Sequence, residues 1–273
     1  MVDFASLHKS ARHDIRMCIQ AWSEVLREAF GDRIECVYSK GSASKNWDSP
    51  IDYVPVLSDV DIHIHLKDND GFFEGKEVPF EDALAMSKAF EERFYELEPE
   101  PLHFPRPQLV HVNEFLGEME NFVPPLIEHV HPIIGTPKQM PMPSTEKVKK
   151  WDRENLLDLE VYLKEVAMSV VDRAGFDFWS QIRRICWRVS PAPVRLITQK
   201  HENPYEVWAW NRTQLTERLV DMGLDRIEHL YREFYMAGWN LFLSEFTDRH
   251  HFRRVVDNGL HLLHECVEFV KTL

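Results

Sequence analysis

The stretch that decides the fold is Ser58-Asp59-Val60-Asp61-Ile62-His63-Ile64, which begins sixteen residues after the dipeptide Gly41-Ser42. Polar and apolar residues alternate strictly from Asp59 onward, which predicts a β-strand with both aspartates on one face. Two carboxylates held side by side repel each other, so the pair favours a divalent cation, and hard oxygen ligands suit Mg²⁺ or Mn²⁺. The Gly-Ser turn offers backbone N–H groups and a hydroxyl to a phosphate chain. The two motifs therefore predict a metal site beside a phosphate site.

The segments around the motifs predict the elements that carry them. Apolar residues at helical spacing between 15 and 29 predict an amphipathic helix that ends at Gly31-Asp32. Residues 34–38 then form a strand that leads into Gly41, and 60–66 form the strand that carries the aspartates. We expect the apolar side of this second strand to pack on helices and its polar side to line an open cleft. There, His63 is either a contact of the ligand or a hydrogen-bonded neighbour.

This order resembles the nucleotidyltransferases of the DNA polymerase beta superfamily, whose signature is an apolar strand, Gly-Ser, a variable spacer and Asp-x-Asp within a second strand. The resemblance covers roughly residues 10 to 135. It implies an α+β nucleotidyltransferase fold, with a small mixed sheet that has helices on one face, followed by a C-terminal helical bundle. It also implies that Asp59 and Asp61 hold one or two Mg²⁺ ions, and that Gly41 and Ser42 orient the phosphates of a triphosphate. Lys45 is a further candidate phosphate contact.

The chain departs from the family pattern in the spacer and at the third carboxylate. The spacer of residues 46–57 is somewhat long and contains Trp47 and two prolines. On the strand expected at 108–113, an acidic residue should stand between apolar neighbours, yet His111 occupies that place. Either His111 stands in as a metal or substrate group, or the third acid comes from elsewhere, with Glu114 the nearest candidate for a catalytic carboxylate and general base. An acid from the helical half is the other candidate base.

A proline-rich segment divides the chain in two. Pro137, Pro141 and Pro143 indicate a linker, and Ser144 begins a half in which apolar residues recur at intervals of three and four along three long segments. We therefore expect a catalytic domain at 1–143 and a helical bundle at 144–273, which binds the acceptor as the far wall of the cleft.

The net charge of −13 is concentrated in the first half of the chain. Residues 1–143 carry 25 acidic and 13 basic side chains, whereas residues 144–273 carry 20 and 19. An acidic catalytic half repels a nucleic-acid backbone, so a nucleic-acid substrate is disfavoured. The same charge attracts a cationic small molecule. The aminoglycoside-modifying branch of the family is similar in layout and takes such acceptors.

The sequence indicates a cytoplasmic protein. Its longest apolar runs are far shorter than a membrane span, and its first residues do not read as a signal peptide. The four cysteines are scattered without a CxxC pair, as is typical of reduced, buried thiols rather than of a zinc site or disulfides. The oligomeric state stays open.

Together these features predict an enzyme that transfers a nucleoside monophosphate from a triphosphate, in the first place ATP, to a hydroxyl of a small-molecule acceptor. Two alternatives stay open. One is a degenerate family member that binds a nucleotide without transferring it, as the missing third acid would suggest. The other is a toxin–antitoxin-type protein that nucleotidylates another protein.

Overall fold

Four strands form one mixed sheet in the part of the chain that the computed structural model describes, which is residues 2–55, 57–68, 70–113 and 121–273. The strands are β1 Ile34–Lys40, β2 Val60–Leu66, β3 Pro107–His111 and β4 His131–Ile134. Their order in the sheet is β3-β2-β1-β4. β1 pairs antiparallel with β2 and β4, whereas β3 runs parallel to β2. Because helices make up most of the rest, the predicted α+β class is confirmed.

The chain divides into two compact units. The first, here called the sheet unit, comprises Met1–Lys45 and Asp59–Met140, and the second, the helical unit, comprises Asn46–Ser58 and Pro141–Leu273. The segment that separates Gly-Ser from Asp-x-Asp in sequence is thus part of the helical unit.

The sheet unit contains two long helices, α1 Phe4–Phe30 and α2 Pro79–Leu97, which pack on each other. α1 begins at Asp3, whose carboxylate accepts a hydrogen bond from the backbone of Ser6, and it ends at Gly31 as predicted. Its apolar stripe faces inward, and α1 also contacts β2 and β4. The β2 residues Ile62 and Ile64 are fully buried, which places the apolar side of the predicted strand in this core.

The helical unit is built from seven α-helices among its described residues: α3 Thr145–Val171, α4 Phe178–Val189, α5 Ala192–Thr198, α6 Pro204–Ala209, α7 Arg212–Asp221, α8 Asp225–Leu243 and α9 Arg249–Lys271. One of the three periodic segments forms α8, where Ile227, Leu230, Phe234, Ala237 and Leu241 are all buried, and α8 packs along α9. Side-chain caps fix several helix starts: Ser144 caps α3, Asn211 caps α7 and Asp248 caps α9.

Residues 46–58 are held within the helical unit by polar contacts. The buried Asp52 accepts hydrogen bonds from the backbone N–H and the hydroxyl of Thr213, at 2.8 and 2.7 Å. The neighbouring Arg212 donates to the carbonyls of Ile51 and Asp52, at 2.8 and 3.0 Å. The Trp239 indole donates to the carbonyl of Pro50 at 2.7 Å. These bonds tie the segment to α7 and α8.

The four cysteines are buried free thiols, as predicted. Burial raises the pKa of Cys36 to about 11, which keeps it protonated. Within the described ranges, no helix combines the length and the apolar character that crossing a membrane requires.

Candidate functional site

The register between β1 and β2 brings the two predicted motifs together in the sheet unit. Lys40, the last residue of β1, lies opposite Asp61 on β2, and Gly41 follows directly. Because paired residues in a sheet share a face and faces alternate along a strand, Lys40, Asp61 and the pair two residues along, Tyr38 and His63, all point to the same side.

Gly41 lies against the carboxylate of Asp61. Its φ is +81°, and a Cβ built at this position would come within 2.1 Å of Oδ2 of Asp61. The chain then makes a tight turn, since the Gly41 carbonyl accepts hydrogen bonds from the backbone N–H groups of Ser44 and Lys45 at 3.1 and 3.2 Å. Arg12 of α1 donates to the Lys45 carbonyl at 3.0 Å and fixes the end of the turn. The half-buried Ser42 stands within this turn.

Asp59 forms an ion pair with Arg106. The guanidinium Nη2 lies 2.6 Å from Oδ2 of Asp59, and both side chains are partly exposed. The backbone holds the two residues together as well, because the carbonyl of Arg106 accepts a hydrogen bond from Val60 at 2.9 Å. Arg106 stands immediately before β3, which pairs with the strand that Asp59 leads into.

Electrostatic interactions converge on Asp61. Burial, and next the charge of Asp59, raise the pKa of Asp61 to about 7. Lys40, Arg106 and Lys45 oppose this rise in that order, so all three cations lie within range of the carboxylate. Of these cations, Lys40 lies opposite Asp61 in the sheet, Arg106 pairs with Asp59, and Lys45 belongs to the turn that follows Gly41.

His63 is buried on the polar side of β2, not exposed in an open cleft. It is 2% exposed, and Nδ1 lies 3.4 Å from the hydroxyl of Tyr38 in a hydrogen bond. Its ring stacks on that of Tyr38 at 5.2 Å between centroids. Burial lowers the pKa of His63 to about 2, so the ring is neutral. The expectation of an open polar side is thus wrong at this position, where His63 and its neighbour Tyr38 are both buried.

His111 does not lie with the aspartates. On β3 it is paired with Ile64, whereas Gln108 is the residue paired with Asp61. His111 therefore points to the apolar side of the sheet, where its ring packs on Phe72 at 4.9 Å. Its proposed role as a metal ligand is corrected on this ground: the residue is at the predicted strand but on the opposite face. Glu114, the candidate catalytic acid, lies outside the described residues.

The donor set at the turn fits a divalent cation held by two ligands. Asp59 and Asp61 supply hard oxygens, and Gly41, which has no side chain, leaves room for the Asp61 carboxylate beside the turn. Mg²⁺ in proteins usually keeps several waters and takes one or two carboxylates together with substrate phosphates. Among the described residues, no group of three or more His, Cys, Asp or Glu side chains is placed to hold a metal ion. The remaining ligands would thus be waters and phosphate oxygens.

Two cations of the site, Lys40 and Arg106, were not predicted from the sequence. Lys40 could have been identified, because it ends the strand that leads into the Gly-Ser turn. Arg106 offered no such signal, since it lies between two prolines, and only the pairing of β2 with β3 brings it to Asp59.

No protein-family model, no curated protein and no solved structure matches this chain. We therefore infer its function from the side chains themselves.

Proposed function

We propose that the chain has the nucleotidyltransferase fold and that it transfers a nucleoside monophosphate from a nucleoside triphosphate, in the first place ATP, to a hydroxyl of a small molecule. The observation that carries the proposal is the approach of Gly41 to Asp61, where a Cβ would lie 2.1 Å from the carboxylate. This approach joins the Gly-Ser turn and the Asp-x-Asp strand into one site, as the family signature requires.

The charges around the site support an anionic ligand. Residues 1–143 are strongly acidic overall, yet Lys40, Lys45 and Arg106 gather around Asp61. Once a metal ion neutralises Asp59 and Asp61, the three cations would suit a ligand that carries several negative charges. A triphosphate chain has that property, and its oxygens accept charge-assisted hydrogen bonds from lysine and arginine.

Each residue of the site has a distinct role in the proposed reaction. Asp59 and Asp61 would hold Mg²⁺ or Mn²⁺, which when bound neutralises charge on the transferred phosphoryl group and on the departing pyrophosphate. The turn from Gly41 to Lys45 would orient the β- and γ-phosphates through the Ser42 hydroxyl and the Lys45 ammonium. The general base stays unassigned, with Glu114 as one candidate.

The acceptor proposed here is a small hydroxyl-bearing molecule with positive charge. The net charge of −13 would draw such a molecule towards the protein and would repel a nucleic acid. Aminoglycosides are a suitable class of probe, because they carry both amines and hydroxyls.

The proposal is tested by pyrophosphate release. The purified protein is incubated with ATP, Mg²⁺ and a panel of cationic and neutral polyols, and release is compared between the wild type and Asp61→Asn. We expect the variant to lose metal-dependent release while its circular dichroism spectrum stays unchanged. The matched control is Asp32→Asn, which removes an exposed carboxylate of the same unit. Full pyrophosphate release by the Asp61→Asn variant would refute the assignment of Asp61 to the site.

One observation favours a second candidate, a protein that binds the triphosphate without transferring it. The described residues bring two carboxylates to the site but no third, and an arginine already neutralises one of them. Calorimetry with ATP and Mg²⁺ separates the two candidates. Binding that is lost in Asp61→Asn, with no pyrophosphate released for any acceptor, would support the second candidate.

A further inference from the structure

The ion pair between Asp59 and Arg106 lies at one of the two carboxylates that would hold the metal. Nη2 of Arg106 is 2.6 Å from Oδ2 of Asp59, within the range of a charge-assisted hydrogen bond. A divalent cation that binds this oxygen must displace the guanidinium or share the carboxylate with it.

Arg106 stays near the site when its side chain leaves Asp59. Its carbonyl accepts a hydrogen bond from the backbone N–H of Val60, and the following residue, Pro107, is paired with Val60 in the sheet. The Arg106 side chain is 31% exposed and that of Asp59 is 19% exposed, so solvent reaches both groups. The guanidinium can therefore change partners while its backbone stays in place.

The balance of charge decides where the released guanidinium goes. A metal ion that binds alone would leave the guanidinium beside a dication, with no new anion to pair with it. A metal that arrives with a triphosphate brings anionic oxygens, and guanidinium binds phosphate in a planar, bidentate geometry.

We propose that Arg106 is a positioning residue that serves as the resident counter-ion of Asp59 and couples metal binding to triphosphate binding. In the absence of nucleotide, the guanidinium opposes the entry of a metal ion. When the metal and the triphosphate arrive together, the guanidinium moves from the carboxylate to a phosphate oxygen. The site thereby selects the metal–triphosphate complex over the free metal. This inference rests on the proposed function, because it assumes that Asp59 and Asp61 bind a metal.

The test measures Mn²⁺ binding directly, by the electron paramagnetic resonance signal of free Mn²⁺, with and without a non-hydrolysable ATP analogue. For the wild type we expect weak binding of Mn²⁺ alone and at least tenfold tighter binding when the analogue is present. For Arg106→Met we expect binding of Mn²⁺ alone to tighten by about tenfold, because a charge-assisted hydrogen bond no longer competes for Asp59. The tightening of Mn²⁺ binding that the analogue causes should be correspondingly smaller in this variant.

The matched control is Arg93→Met. Arg93 lies on α2, is 36% exposed and pairs with Glu24 at 2.8 Å and more loosely with Glu28 and Glu96, so the substitution breaks ion pairs elsewhere in the same unit. We expect this variant to bind Mn²⁺ as the wild type does. Arg106→Lys keeps the charge, and it should keep most of the opposition to free Mn²⁺. A loss of structure would weaken Mn²⁺ binding, so the expected tightening separates the proposed role from a merely structural one.

The outcomes distinguish this inference from the proposed function. If Arg106→Met binds Mn²⁺ alone no more tightly than the wild type, while Asp61→Asn abolishes binding, the inference is overturned and the metal site stands. An Arg106→Lys variant that behaves like Arg106→Met would also overturn it, since charge would then not be the cause. If neither the wild type nor any variant binds Mn²⁺ with the analogue, the proposed function fails and the inference fails with it.

Discussion

The backbone of Gly41 lies directly against the carboxylate of Asp61, and no residue with a side chain fits at position 41. Gly41 has a φ of +81°, a conformation that costs an L-residue with a side chain about 1–2 kcal/mol. A Cβ there would also lie 2.1 Å from Oδ2 and 3.2 Å from Cγ of Asp61. The glycine of the Gly-Ser motif is thus required by the position of the aspartate as well as by the turn.

The first prediction separates these two requirements. Gly41→Ala should lower the free energy of unfolding by about 1–2 kcal/mol and weaken binding of Mn²⁺ with a triphosphate analogue by more than tenfold, because the Asp61 carboxylate must turn away. The control is Gly75→Ala, at a φ of +73° with no heavy atom within 4 Å of the new Cβ. We expect it to cost similar stability, measured in urea, without a change in binding. Equal loss of Mn²⁺ binding in both variants would show that the contact between Gly41 and Asp61 is not the cause.

The sequence predicted the elements that local patterns determine. Strict alternation predicted β2, and the recurrence of apolar residues predicted the long helices, because both patterns reflect which face of an element is buried. The Gly-Ser and Asp-x-Asp motifs were placed on neighbouring strands, and the structure indeed pairs Lys40 with Asp61 next to Gly41.

Features that depend on pairing between distant segments were not predictable. His111 lies on the predicted third strand, but a shift of one residue in the pairing moves a side chain to the other face, and no local pattern reports that register. Arg106 reaches Asp59 only because β3 runs parallel to β2. Likewise, Trp47 and the prolines of the spacer gave no sign that residues 46–58 belong to the helical unit.

The second prediction concerns the face of His111. Because this residue is 5% exposed and packs on Phe72, His111→Gln should lower the free energy of unfolding by about 1–2 kcal/mol. Its effect on Mn²⁺ affinity in the presence of the triphosphate analogue should stay within twofold. Asp61→Asn is the reference variant, in which we expect Mn²⁺ binding to be lost. A tenfold loss of Mn²⁺ affinity in the soluble, folded His111→Gln protein would return His111 to the metal site.

The third prediction concerns Arg212, which anchors residues 46–58 within the helical unit. Its guanidinium is buried, donates to the carbonyls of Ile51 and Asp52 and to the hydroxyl of Ser58, and lies 3.9 Å from the ring centroid of Tyr235. Arg212→Met would leave the carbonyls of Ile51 and Asp52 without this donor, so we expect a loss of about 3 kcal/mol in the free energy of unfolding. Hydrogen exchange should show faster exchange in the amides of 46–58.

The control for this variant lies on the same helix. Arg218 is 37% exposed and lies 3.9 Å from Asp221 in a long ion-pair contact. Arg218→Met should change stability by less than about 1 kcal/mol, as is usual for exposed ion pairs. If Arg212→Met leaves exchange in residues 46–58 as slow as in the wild type, other contacts anchor the segment.

The fourth prediction is a pH dependence that arises from Asp152 in the helical unit. This side chain is 2% exposed, and its Oδ2 accepts hydrogen bonds from Thr198 at 2.8 Å and from the Trp208 indole at 3.2 Å. Burial raises the pKa of Asp152 to about 6, although the bond from Thr198, the charge of Arg195 and the Trp208 bond act in the opposite direction. The unfolded chain has the ordinary aspartate pKa, near 3.9.

Because the folded pKa is higher than the unfolded one, the protonated carboxyl stabilises the folded state below about pH 4, and this contribution is lost as the pH rises through about 6. Asp152→Asn keeps an oxygen that accepts both hydrogen bonds and does not titrate. Between pH 4 and pH 7 the wild type should therefore lose about 2 kcal/mol of unfolding free energy relative to the variant. Urea unfolding at intervals of half a pH unit measures this difference. A difference that stays constant over the whole range would show that Asp152 titrates at its ordinary pKa in the folded protein.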